Sequence, residues 1–299
     1  MRAFLVVLAG ATLVACGAVP GPTQPIPTVT PTQNPSPAPP TPLPTDAPAA
    51  FYLRATYSQA LPPQFTFNWL PALAIVDGTV IDGNVAVPAI FPGPLVIVPN
   101  SRPISEAGIE AIVHLARDLG LLEGETDFTG GGAIPGSRLG QLVLRVDGQT
   151  FELTGNPEAT VSCGAQLCAD PGTPEAFAAF WRQLSNLDSW IGGEVGQIVQ
   201  YQPERVAVLF TEPAPPDSDL PQQIVPWPLG GSFDTIGVEF PGVANGRCRT
   251  ISGDDLEATW PALVSGHQLT IFTDADDLTR SALVAVLVPE QQSPCADVS

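Results

Sequence analysis

Leu142-Val143-Leu144-Arg145-Val146-Asp147-Gly148-Gln149-Thr150-Phe151-Glu152-Leu153-Thr154 is the stretch that decides the fold class. Two strand-like runs are joined by Asp147-Gly148, a pair that accepts the positive φ angles of a two-residue hairpin turn. The device recurs upstream, where Leu73–Val76 and Thr79–Ile81 flank Asp77-Gly78. Further strands are expected over 51–57, 206–210, 233–240, 247–251, 269–273 and 282–288. Phe65, Phe67 and Trp69 alternate with Thr66 and Asn68 and read as another strand. Ser105 is placed to cap a helix over 106–119, with Ile109, Ile112, Val113, Ala116 and Leu119 on one face and Gly120 as its stop. Thr173-Pro174-Glu175 starts a second helix, whose Phe177, Phe180, Trp181, Leu184 and Leu187 form a core-facing stripe. Ser252 is expected to cap a third over 253–264, kinked or restarted at Pro261. Residues 88–103 are proline-rich and predicted to run extended along the surface; 130–132 is a glycine loop and 213–221 a polar proline loop. Strands outnumber helices and no βαβ rhythm appears. The expectation is an α+β fold of antiparallel sheets with helices packed on one face, arranged as two similar subdomains.

The first fifty residues have a different character. Arg2 precedes an apolar run of about a dozen residues, too short for the roughly 20 that span a bilayer core. The run ends in Leu13-Val14-Ala15-Cys16-Gly17, which resembles a lipobox: the cysteine thiol takes a diacylglyceryl group and becomes the mature N-terminus. Residues 1–15 then read as a cleaved signal peptide. Two or three acyl chains, at ~0.8 kcal/mol per buried CH₂, anchor durably where one does not. Residues 16–50 combine that cysteine with a proline- and threonine-rich tract of almost no charge, which cannot bury a core and favours polyproline II. At ~3.1 Å per residue, about thirty residues reach ~90 Å. The tract reads as a spacer; a proline-rich ligand or a glycosylated stalk are its rivals. The body is divided into 51–200 and 201–299.

The chain of 299 residues carries a formal charge of −19, and its 11 basic residues are all arginine. That balance argues against a basic face for nucleic acid or anionic lipid. It also removes lysine Schiff-base chemistry and a phosphate-gripping lysine. Beyond Cys16, four cysteines remain: Cys163, Cys168, Cys248 and Cys295. An even number outside the cytoplasm suggests two disulfides, with three pairings open. The short Cys163–Cys168 loop is favoured, leaving Cys248–Cys295 to pin the C-terminal tail to an earlier strand. A four-cysteine zinc site would show two close pairs, and only one pair is close.

The order Asp77-Gly78-Thr79-Val80, Ile104-Ser105-Glu106, the Asp147-Gly148 hairpin, Trp227-Pro228-Leu229-Gly230, Cys248, Ser252-Gly253-Asp254-Asp255-Leu256 and Pro289-Glu290 with Cys295 resembles a family of bacterial exported lipoproteins without an assigned activity. The resemblance covers most of 51–295. It implies an α+β body and supports the Cys248–Cys295 pairing, and it brings no catalytic residues. The Cys163–Cys168 and glycine loops fall outside its pattern.

Chemistry-bearing residues are sparse. His114 falls on the polar helix face near Arg117 and Asp118; His267 follows Ser265-Gly266 before a strand. No Gly-x-Ser-x-Gly elbow, His-Glu-x-x-His, phosphate loop or dinucleotide fingerprint occurs. Asp254 and Asp255 suit a helix N-terminus. Asp274, Asp276 and Asp277 cluster between the last two strands and are weak calcium candidates, without the spacing of an EF-hand loop. The expected function is a lipid-anchored, extracytoplasmic binding or structural module at the cell membrane or outer envelope. It would have no required cofactor, would contact the membrane through its N-terminal lipid, and would meet an envelope protein or polymer. The alternative is an envelope hydrolase using Asp/Glu carboxylates, with or without calcium.

Overall fold

The Asp77-Gly78 and Asp147-Gly148 pairs turn hairpins. Asp77 and Asp147 take φ of 47° and 52°, Gly78 and Gly148 φ of 69° and 78°, in the left-handed region that such turns require. The computed structural model describes residues 51–58, 61–87, 89–130, 138–160, 169–213, 220 and 222–295. The expected Cys163–Cys168 bridge, all of the tether, and most of the glycine loop and of the 213–221 loop lie outside them.

The first hairpin joins β2 (Leu73–Val76) to β3 (Thr79–Asp82), and the second joins β6 (Leu139–Val146) to β7 (Gln149–Gly155). With β1 (Tyr52–Ser58), β4 (Asn100–Pro103), β5 (Asp127–Phe128) and β8 (Val199–Gln200) they make one sheet, ordered β5-β7-β6-β1-β2-β3-β4-β8. The second sheet contains β9 (Arg205–Thr211), β10 (Gln223–Pro226), β11 (Val238–Glu239), β12 (Arg247–Ser252), β13 (Thr270–Thr273) and β14 (Thr279–Leu287), ordered β10-β13-β14-β9-β12-β11. Among the described residues, only the short β5–β7 and β10–β13 pairings are parallel. The fold is α+β. In each sheet the first strand, β1 or β9, lies between a strand that precedes a long helix and one that follows it.

Those helices are α2 (Glu106–Asp118) and α5 (Gly253–Ser265). The Ser105 hydroxyl accepts from Gly108 N–H at 3.1 Å, and Gly120 ends α2 at φ 67°. Thr173 caps α3 (Pro174–Leu184) by accepting from Ala176 N–H at 3.2 Å. Ser252 makes no side-chain cap bond, and α5 runs through Pro261 unbroken. The bond that Pro261 cannot donate would go to Glu257, whose position is exposed, so the orphan carbonyl faces water.

One face of the first sheet packs against α2, α3 and α4 (Leu187–Ile191) through Leu53, Ile75, Val80, Leu142, Leu144, Ile109, Ile112, Phe177 and Phe180. The aromatic stripe of α3 is core, as its spacing predicts. It needs two strand positions without a side chain. Gly140 and Gly155 are register partners on β6 and β7, and a Cβ on Gly155 would meet the Phe177 ring at 2.5 Å. A second core lies against β9, β12, β14 and α5 and takes Ala74 and Ile81 from the first sheet. A third lies on the outer face of the second sheet, around Leu209, Leu287, Phe67, Phe240 and the Cys248–Cys295 disulfide.

Besides the missing Ser252 cap and the unbroken passage through Pro261, three expectations are corrected. Phe65, Phe67 and Trp69 are not on a strand: Pro63–Thr66 forms a single helical turn, α1, because proline at its first position presets φ. Phe65 is exposed, while Phe67 packs edge-on to Phe240 at 5.5 Å. Residues 233–240 are mostly turns, with only Val238–Glu239 paired. Residues 88–103 do not simply follow the surface, since Leu95 and Val96 are buried in the second core and β4 enters the sheet.

Two stability outcomes follow. Gly155→Ala should lower stability by about 1–3 kcal/mol in chemical denaturation, the typical penalty of overpacking. Cys295→Ser opens a bridge with a sequence separation of 47 and should lower stability by about 4 kcal/mol on the loop-entropy account.

Candidate functional site

The sequence-derived residues disperse in the structure. Cys248 and Cys295 are bonded, with Cα atoms 5.1 Å apart. Cys16, Cys163 and Cys168 lie outside the described residues. His114 is exposed on α2. His267 is half-buried, and its Nδ1 accepts from Leu269 N–H at 3.1 Å. Asp255 pairs with Arg249.

The three clustered aspartates divide. Asp276 and Asp277 are exposed, but Asp274 is only 8% exposed and turns inward. Its carboxylate accepts from the N–H groups of Phe233 (2.7 Å), Asp276 (2.9 Å) and Leu278 (2.9 Å). Burial alone would raise its pKa; the combined bonds from Phe233, Leu278, Asp276 and Ser232 outweigh that and hold it below 3.8. Asp274 is thus a clasp between the 232–236 turns and the β13–β14 connection. Among the described residues, no group of three His, Cys, Asp or Glu is placed to hold a metal ion.

Among the described residues, the two larger open polar grooves are the candidate surfaces for function. One, of about 880 Å³, is lined by Asp234, Glu239, Arg247 and Arg280 beside the 240–246 turn. Its arginines are engaged in holding the neighbouring 234–237 turns. Arg247 donates to the carbonyls of Ile236 (3.0 Å) and Gly237 (2.8 Å), and Arg280 pairs with Asp234 at 3.1 Å.

The other groove, about 560 Å³, lies on the face of the first sheet opposite its helices. Register places its side chains in rows: Thr56 beside Gln141 and Thr154, Arg54 beside Val143 and Glu152, Tyr52 beside Arg145 and Thr150. The segment Glu290–Gln292, following β14, forms its wall. Arg145 lies over the Tyr52 ring at 5.4 Å and pairs with Glu290 at 2.6 Å. The Glu290 hydrogen bond is the main cause of the raised Arg145 pKa. Burial raises the Tyr52 phenol, Arg54 and Arg145 pull it down, and Glu290 pushes it up; the net direction is upward. Arg54 makes no ion pair among the described residues, and its Nε is shut from solvent without a hydrogen-bond partner.

None of these groove residues was singled out by motif reasoning. The available signal was alternation: Leu53, Ala55, Leu142, Leu144 and Leu153 point inward, leaving Arg54, Arg145 and Glu152 on the other face. Among the described residues, no helix is long and apolar enough to cross a membrane. The chain matches no family model, no curated protein and no solved structure.

The Asp274 clasp makes a direct prediction. Asp274→Ala strands three N–H groups and should lower stability by about 3 kcal/mol. Because the folded pKa is depressed, the charge-dependent part of this contribution is present above the unfolded value of 3.8 and is lost as pH falls through the lower folded value. The stability gap between the wild type and Asp274→Ala should therefore narrow at acid pH.

Proposed function

We propose that the protein is a lipid-anchored extracytoplasmic binding module, held off the membrane on its proline tether. The observation that carries this reading is the Cys248–Cys295 disulfide in the body of a chain that starts with a lipobox-like Leu13-Val14-Ala15-Cys16. Structural disulfides persist in oxidising compartments outside the cytoplasm, so body and leader support the same address. Cys16 supplies the acyl anchor and residues 16–50 the spacer.

Binding, rather than hydrolysis, is the activity the grooves support. The carboxylates Asp234, Glu239 and Glu290 each face an arginine, Arg280, Arg247 and Arg145, within 4.0 Å. Each of these carboxylates is thus committed to a guanidinium contact. The open sheet face offers guanidinium, hydroxyl and amide groups over a broad surface, as an envelope polymer or protein would need.

Cys16→Ser should move the protein from the membrane fraction to the soluble extracytoplasmic fraction in the parent cell type. Continued partition with membranes would refute the anchor. In the same cells, Cys248 and Cys295 should resist thiol alkylation until reductant is added; immediate labelling would count against the compartment.

A further inference from the structure

Resting on the binding-module reading, we infer that the open face of the first sheet is the ligand site, and that its ligand is a carboxylate-bearing, hydroxyl-rich polysaccharide. Arg54 is the anchor. It is half-buried on the central strand β1 beside the Tyr52 phenol, it lines the groove, and it has no ion pair among the described residues. A partly desolvated cation is unfavourable until an anion meets it. The planar fork of Arg54 matches a carboxylate in a two-bond geometry.

Arg145 supplies the second cation. Its present partner, Glu290, is 46% exposed on the segment after β14. An exposed pair of this kind is weak, so an incoming carboxylate can exchange with Glu290. Arg54 and Arg145 lie on adjacent strands in adjacent rows of one face, opposite Val143 and Tyr52 respectively. Around them Thr56, Thr150, Glu152, Gln291 and Gln292 present hydroxyl, carboxylate and amide groups. Strands repeat at ~4.8 Å across the sheet and side chains of one face at ~7 Å along it. Such a lattice addresses many hydroxyls of a chain laid flat. The groove is an open trough rather than an enclosed pocket, which suits a polymer better than a small acid.

The probe is polygalacturonate, titrated by calorimetry into the full-length protein in detergent micelles, with dextran, free galacturonate and inorganic phosphate alongside. Polygalacturonate should bind, and more weakly as salt rises. Arg54→Gln should weaken it at least tenfold. Thr56→Glu, which adds a negative charge to the same face without touching the core, should do the same at an unchanged melting temperature. It decides the matter if Arg54→Gln does not fold. No binding of polygalacturonate to the wild type, or equal binding by folded Thr56→Glu, overturns the inference. Equal binding of dextran overturns the carboxylate requirement, and free galacturonate or phosphate binding as tightly as the polymer overturns the polymer. Any of these failures leaves the Cys16→Ser fractionation result standing, so the site and the anchored-module reading fail separately.

Discussion

The β2–β3 hairpin is buried on both faces, and the arrangement of the two sheets depends on that. Leu73, Ile75 and Val80 face the α2–α3 side, while Ala74 and Ile81 enter the core built on the second sheet. A hairpin with one wet face would leave two separate sandwiches. This one belongs to both cores, and at ~25 cal/mol per Å² of apolar surface neither side can be exposed cheaply. Its Asp77-Gly78 turn fixes which residue faces which core, since a slip of one position would exchange the two sets.

Other joints follow from this. Leu95 and Val96 fill the second core beside the hairpin, and the connecting 93–95 stretch bonds to 266–268, with Leu95 N–H donating to the Gly266 carbonyl at 3.1 Å. Phe67 reaches the outer face of the second sheet and meets Phe240. The tail beyond β14 returns to the first sheet through Arg145–Glu290, while Arg205 holds the Gln291 carbonyl and the disulfide fixes the tail's end at β12. Each joint links residues far apart in sequence.

Legibility tracks that distance. The Asp-Gly hairpins, the Ser105 and Thr173 caps and the α3 stripe are written in neighbouring residues, and all were readable. The short strands β4, β8 and β10 exist only because a distant partner offers an edge, and no local pattern announces Gln223–Pro226. The alternation at Phe65, Phe67 and Trp69 is real, but Pro62 and Pro63 start a helical turn there, and only Phe67 finds a core. Asp274 reads as part of an acidic loop because nothing in sequence reveals that the Phe233 N–H will meet it. The weak-signal case is the polar groove. Its arginines were legible as strand residues, but their convergence with Glu290, 145 positions from Arg145, was not.

The groove exists because one sheet face is written in two dialects. β2 and β3 read as a nearly continuous apolar run, the mark of burial on both sides, whereas β1, β6 and β7 alternate, the mark of a strand with one solvated face. Eight strands also outnumber the six of the partner sheet. The second core therefore covers the β2–β3 side and stops, and the remaining strip stays polar. A solvated strip alone would need no arginine held without a carboxylate at its border. Arg54 sits where β1 borders the covered half, opposite Ala74 on β2 and Val143 on β6, so its stem lies along apolar neighbours and its head opens toward the groove. The same boundary that lets the two sheets share a core thus places a partly desolvated cation beside an open polar surface, which is the physical basis for assigning binding to this face.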